Sequence, residues 1–291
     1  MRAKAFAPGH ITGFFEILDG PRDPLLKGSR GAGVNLSLGV LTSVDVRKAP
    51  RQAINITLNG TRCEAATTLR AVRLLLGKRR LEVDVESRVE LPVGQGFGMS
   101  AAGALSASLA LGAVLGIGHL EAGSAAHQAE IEERTGLGDV VAQLRGGWEM
   151  RLRPGYPPHG LVDRLLVPRQ RIALCVCGDP VPTKGVLADP LKRNRICLAG
   201  HAAAGKLQAA PTLEEFFSLS RDFAKETGLA GEAALKLADD IVDAGLGMAS
   251  VSMIGNSVFA VGNTNDIVRL MKARGRVFVC ETDSCGAGPV S

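Results

Sequence analysis

The apolar positions along the chain switch between two periods. Residues 53–58 place apolar side chains at alternate positions and end in Asn59-Gly60, a dipeptide that turns one strand back on the next. Residues 65–76 change to helical spacing and stop at Gly77. Residues 81–86 alternate strictly again, as a half-buried strand does. A glycine-rich segment from Pro92 then runs into an Ala/Leu-rich helix ending near Leu115, and a second helix spans residues 120–134 before Gly136-Leu137-Gly138 stops it.

Turn formers crowd Arg153-Pro-Gly-Tyr-Pro-Pro-His-Gly160, which makes this stretch the expected linker. Beyond it the pattern predicts strands at 161–167 and 171–177 and helices at 191–209, 213–226 and 232–244. Strands at 249–254 and 257–261, a helix at 265–273 and a strand at 277–281 complete it. Strands and helices mix in both halves. The expected class is therefore α+β, with an N-terminal lobe over 1–158, a C-terminal lobe over 159–291, and a ligand cleft between them.

Composition narrows the function. Hydrophobic residues make up 46% of 291 and charged residues 22%, an ordinary globular balance. Aromatics reach only 4%, too few for the stacking platforms of a nucleic-acid surface. The six cysteines form no CxxC pair and no Cys/His metal spacing, which argues against a disulfide framework or a zinc site. No apolar run reaches the roughly 18 residues of a membrane span and no signal peptide is evident, so the expected location is cytoplasmic. A net charge of +5 favours anionic ligands. A homodimer is expected from the general frequency of two-fold assemblies.

The chemistry centres on Gly94-Gln-Gly-Phe-Gly-Met-Ser100, three glycines at alternate positions ahead of a long helix. Glycine admits positive φ and close approach to a ligand, and the helix behind offers unpaired N–H groups to an anion. No lysine follows, which separates the segment from the GxxxxGK[ST] loop, and the spacing is not that of a dinucleotide fingerprint. Ser100 adds a hydroxyl for Mg²⁺ or a phosphate oxygen. Two carboxylates follow: Glu130, one helical turn beyond His127, and Asp139, delivered by Gly136-Leu-Gly138. Alone, Glu130 reads equally as a solvated helix face and Asp139 as a cap. With the loop, they supply a metal ligand and a base for phosphoryl transfer to an alcohol.

Pro92-Val-Gly-Gln-Gly-Phe-Gly-Met-Ser-Ala-Ala102 resembles the central motif of the GHMP kinase superfamily, and Ala7-Pro-Gly-His10 with Glu16 resembles its N-terminal motif. The resemblance implies an N-terminal lobe like domain 2 of ribosomal protein S5 and a ferredoxin-like C-terminal lobe. It implies ATP and Mg²⁺ as cofactors. Pro92, Gly94, Gly96, Gly98, Met99, Ser100 and Ala101 would then bind the nucleotide, Ser100 and Glu130 the metal, and Asp139 would act with them in catalysis. His10 stands where the family places a lysine, Met99 replaces the first motif serine, and Ser252–Phe259 carries one glycine where the third motif is glycine-rich. These departures resemble an archaeal branch of the superfamily that phosphorylates pantoate on the route to coenzyme A.

A hydroxy acid requires a cation and hydroxyls near the base. Ser29, His127, Arg151 and His10 are the candidate substrate contacts, with Lys184 a further one; Arg151 alone reads equally as a strand-edge charge. Homoserine, shikimate or mevalonate derivatives remain as alternative substrates, and a non-catalytic ligand-binding member of the fold as another reading.

Overall fold

Two strands longer than any that the alternation marks out form the spine of the molecule. In the computed structural model, which describes residues 1–181, 185 and 189–290, β1 (Arg2–Leu18) and β2 (Gly28–Lys48) pair antiparallel from Arg2↔Asp45 to Leu18↔Gly28. Register shifts between Pro8 and Gly9 and between Thr12 and Phe14 bend the pair. Most of β1 is buried on both faces, so its apolar run carries no period of two. Between the strands, a short 3-10 turn at Pro24–Leu26 is capped by Asp23.

β3 (Ala53–Leu58) and β4 (Thr61–Arg62) form the expected hairpin, with Asn59 and Gly60 at φ 48° and 80°. α1 (Ala66–Leu76) and β5 (Leu81–Val89) follow; β5 lies parallel to β3 and antiparallel to β2. α2 (Met99–Leu115) is apolar nearly all round and runs buried between this sheet, α1 and α3 (His119–Glu133). The short α4 (Asp139–Arg145) leads into β6 (Trp148–Arg153), which pairs with β2.

The linker expectation gives way here. Residues 154–160 turn β6 back onto β7 (Leu161–Arg164) within the same sheet, so a boundary at 158/159 falls inside a hairpin. Turn formers have the same composition in a linker and in a hairpin loop. Tertiary bonds decide between them: the Tyr156 N–H donates to the Leu25 carbonyl and its hydroxyl to the Leu120 carbonyl, both at 2.8 Å. The strand expected over 161–167 accordingly ends at Arg164, where β6 ceases to pair.

The second sheet contains β8 (Arg171–Val176), β9 (Gly247–Val251), β10 (Ser257–Gly262) and β11 (Arg276–Glu281) in the order β11-β8-β10-β9. Between β8 and β9 lie α5 (Pro190–Ala209), α6 (Leu213–Thr227) and α7 (Glu232–Asp243); α8 (Thr264–Lys272) joins β10 to β11. This is the expected ferredoxin-like order of strands. A last strand, β12 (Gly288–Val290), returns to pair with β1 in the first sheet. Aromatic rings join the two sheets. Phe14 of β1 and Trp148 of β6 meet Phe216 of α6 at 6.1 and 5.3 Å, and Phe217 meets Phe259 of β10 at 5.2 Å. Among the described residues no helix is long and apolar enough to cross a membrane.

Candidate active site

The glycine segment folds as an open loop into the first turn of α2. Gly94, Gly96 and Gly98 all adopt positive φ, at 78°, 78° and 64°, a backbone that a side chain would strain. Successive turns of this kind make anion-binding concavities, and Gly98 caps α2 without a side chain, leaving its first N–H groups to a ligand. Both lobes hold the loop. Gln143 Nε2 donates to the Gly98 carbonyl at 2.9 Å, Gln95 Nε2 to that of Gly178 at 2.9 Å, and Ser252 Oγ to that of Gln95 at 3.0 Å.

The loop forms one wall of a cavity of about 380 Å³, whose polar lining includes Thr12, Ser29, Ser100, Thr135 and Asp139. Ser100 Oγ lies 3.1 Å from Thr67 Oγ1, which in turn lies 3.2 Å from Thr135 Oγ1. On the same cavity, Asp139 opens α4 with its carboxylate a quarter exposed. Glu130 stands behind it, fully buried. Its Oε1 accepts the Asp139 N–H at 3.3 Å, and its Oε2 has no partner. Burial, with the neighbouring charge of Asp139, pushes the Glu130 carboxyl well above the usual carboxylate range.

A chain of charged groups continues inward. His10 Nδ1 meets Asp139 Oδ1 at 2.7 Å, and its Nε2 meets Glu149 Oε1 at 3.0 Å. The same Glu149 oxygen accepts from Arg151 Nη1, whose Nε donates to Ser29 Oγ at 3.1 Å. His10, Glu149 and Arg151 are all buried. Burial works against charge on His10, but its hydrogen bonds to Asp139 and Glu149 outweigh it and raise its pKa.

Residues 65–147 match the family described as GHMP kinases N terminal domain. A pantoate kinase from Thermococcus kodakarensis is 37% identical over 268 residues, covering 90% of this chain and 88% of the relative. Another from Methanospirillum hungatei is 33% identical over 285 residues, covering 95% and 92%. The chain belongs to the GHMP kinases. A solved structure described as a phosphotransferase related to CoA biosynthesis pathway matches with a TM-score of 0.91 at 31% identity, covering 100% of this chain and 99% of the other.

In this GHMP kinase, Gly94, Gly96, Gly98, Met99, Ser100, Ala101, Ser29 and Asp139 share one cavity, while Pro92 lies outside its lining. His10, Arg151 and Glu130 stand behind that wall. Two expectations change. His10 is not a direct substrate contact in this geometry: its ring is wholly enclosed and both nitrogens are spent on carboxylates. His127 is not a cation at the cavity. Its Nε2 donates to the Lys27 carbonyl at 3.1 Å, its ring lies 5.6 Å from Tyr156, and burial lowers its pKa to about 4. Lys184 falls outside the described residues.

Glu149 escaped the sequence reading, as did Thr12, Thr67 and Thr135. A signal for Glu149 exists: Trp148-Glu-Met-Arg151 is a strand with apolar residues on one face and an opposed charge pair, two apart, on the other.

Proposed function

We propose that this GHMP kinase transfers the γ-phosphoryl group of ATP to a hydroxyl of pantoate, giving 4-phosphopantoate. The observation that carries the reading is the placement of Asp139. Its carboxylate lines the same cavity as a loop suited to phosphates, and a buried histidine holds it from behind. The two relatives named pantoate kinase supply the acid substrate. The cavity supplies groups for it: Ser29 Oγ is occupied as an acceptor by Arg151, so its own proton is free to donate to a ligand.

The donor groups present would suit a divalent metal ion that takes its other ligands from the nucleotide and water. Among the described residues no three acidic, histidine or cysteine side chains cluster as a metal cage. Mg²⁺ in kinases is commonly held by one or two protein groups plus phosphate oxygens and water. The unpartnered Glu130 Oε2 and the Ser100 hydroxyl are the groups that would hold it. When bound, Mg²⁺ neutralises charge on the β- and γ-phosphates.

Asp139 accepts the hydroxyl proton as the oxygen attacks the γ-phosphorus. An O–P bond forms, the bond to the β-phosphate oxygen breaks, and ADP leaves. The loop amides orient the phosphates, and Arg151 with Ser29 sets the acid's position. His127 holds the Lys27 carbonyl, two residues before Ser29, and so fixes that strand end.

The test is ADP release from ATP with pantoate, homoserine, shikimate and mevalonate compared in parallel. Turnover with pantoate at a kcat/KM at least ten-fold above the others is expected; no turnover of pantoate sinks the reading.

A further inference from the structure

Glu149 touches neither the cavity nor any part of the phosphate loop, yet one of its oxygens binds two cationic side chains that serve different tasks. We propose that Glu149 is a positioning residue that couples Arg151, which holds Ser29 on the cavity wall, to the aspartate activating the substrate hydroxyl, acting through a doubly protonated His10. The proposal rests on the reading of Asp139 and Arg151 given above.

The contacts define a single path. Asp139 Oδ1 meets His10 Nδ1 at 2.7 Å, and His10 Nε2 meets Glu149 Oε1 at 3.0 Å. Arg151 Nη1 donates to that same Oε1, and Arg151 Nε reaches Ser29 on the cavity wall. A neutral imidazole has one N–H, so one of its two contacts would set a nitrogen lone pair against a carboxylate oxygen. Protonation at both nitrogens makes both contacts attractive. The path then alternates in charge: Asp139 negative, His10 positive, Glu149 negative, Arg151 positive. The groups facing His10 are consistent with this. They are Asp139 and the Gln143 amide from α4, Asn35 paired across from β2, Glu149 with Arg151 from β6, and Glu130 behind Asp139 from α3.

The backbone makes room for the pair. Gly33 of β2 lies between β1 and β6, paired with Thr12 on one side and Glu149 on the other. A Cβ at Gly33 would collide with His10 Nε2 and come within 2.9 Å of Glu149 Oε1. Glu149 Oε2 has no partner, so both cations depend on one oxygen. A shift of Arg151 that follows Ser29 when an acid binds therefore changes what Glu149 offers His10.

The test compares the wild type, Glu149→Gln, Arg151→Lys and the double variant, with kcat and KM for pantoate measured from about pH 6 to about pH 9. In Glu149→Gln, kcat is expected to fall roughly 100-fold at the alkaline end and far less at the acid end, with a midpoint near the ordinary histidine value of about 6.5. Arg151→Lys is expected to lower kcat and raise KM in the wild-type background, but to raise KM alone when Glu149 is already Gln. A uniform loss at every pH, or additive effects on kcat, overturns the coupling. Should Glu149→Gln fail to fold, ¹⁵N spectra of the histidine-labelled wild type, with His10 assigned by His10→Gln, decide it. Two protonated ring nitrogens at neutral pH are expected, and a single-tautomer pattern refutes the proposal. Absence of pantoate turnover by the wild type would instead strike the functional reading and leave the spectrum to judge His10.

Discussion

His10 and His127 are equally enclosed, yet their surroundings shift their proton affinities in opposite directions. His10 lies between two carboxylates, and its proton affinity rises despite burial. His127 faces a backbone carbonyl and the ring of Tyr156, and burial brings its pKa down to about 4. Enclosure alone always disfavours the imidazolium; the partners decide whether that is overcome. One histidine thus belongs to an ionic chain ending at the cavity, and the other to a neutral support beneath Ser29.

The comparison is most sharply tested at the carboxylate His10 serves. Asp139→Asn keeps the shape but removes both the anion and the base, and kcat is expected to fall by roughly 10²- to 10⁴-fold while the KM for pantoate changes little. Steady-state kinetics checks this, and near-wild-type turnover would remove Asp139 from the chemistry. Next in size is the difference between the histidines in stability. His10→Gln leaves the buried Glu149 and the partly exposed Asp139 without their shared cation, at a cost of about 3–5 kcal/mol. His127→Gln loses one neutral hydrogen bond and some packing, at about 1–3 kcal/mol. Urea unfolding of the two variants at neutral pH measures both, and equal losses would erase the distinction.

The most gradual effect is in pH dependence. The unfolded chain protonates His127 near 6.5, but the folded chain does so only near 4. Stability from this residue is therefore intact above 6.5 and declines as pH falls toward 4, by up to about 3 kcal/mol. The raised His10 behaves inversely: its contribution is present below 6.5 and is lost as pH rises through its folded value. Unfolding midpoints between about pH 4 and about pH 7 should show a shallower acid slope in His127→Gln than in the wild type. An unchanged slope would mean that His127 is not the neutral group described here.

Local patterns made much of the molecule legible. The helices, the hairpin at Asn59-Gly60 and the phosphate loop announce themselves through spacing or turn chemistry within a few residues, whereas the ferredoxin-like strand order follows only from the family resemblance. β1 and the first half of β2 do not announce themselves, because strands buried on both faces lose their alternation. In the site, the loop with Ser100, Ser29 and Asp139 on its cavity was readable, but the links among the groups behind it were not. His10 and Glu149 are 139 residues apart, and only the register of β1, β2 and β6 brings them together. Both histidines looked like substrate contacts because a sequence shows residue types, while charge state and exposure belong to the packed neighbourhood.

The first sheet is completed by residues from far along the chain. β7 extends it through β6, and Lys4, Ala5 and Phe6 of β1 pair with Val290, Pro289 and Gly288. During synthesis, the opening strands leave the ribosome long before the segments that cover their edge and their aromatic face. Until then Phe14 and Trp148 lack Phe216, and one edge of β1 is bare. The nascent phosphate-binding half therefore waits uncovered while the segments beyond β6 are made, an open template for pairing with other chains. Recombinant yield should accordingly depend more on chaperone supply and growth temperature than the stability of the finished enzyme would suggest.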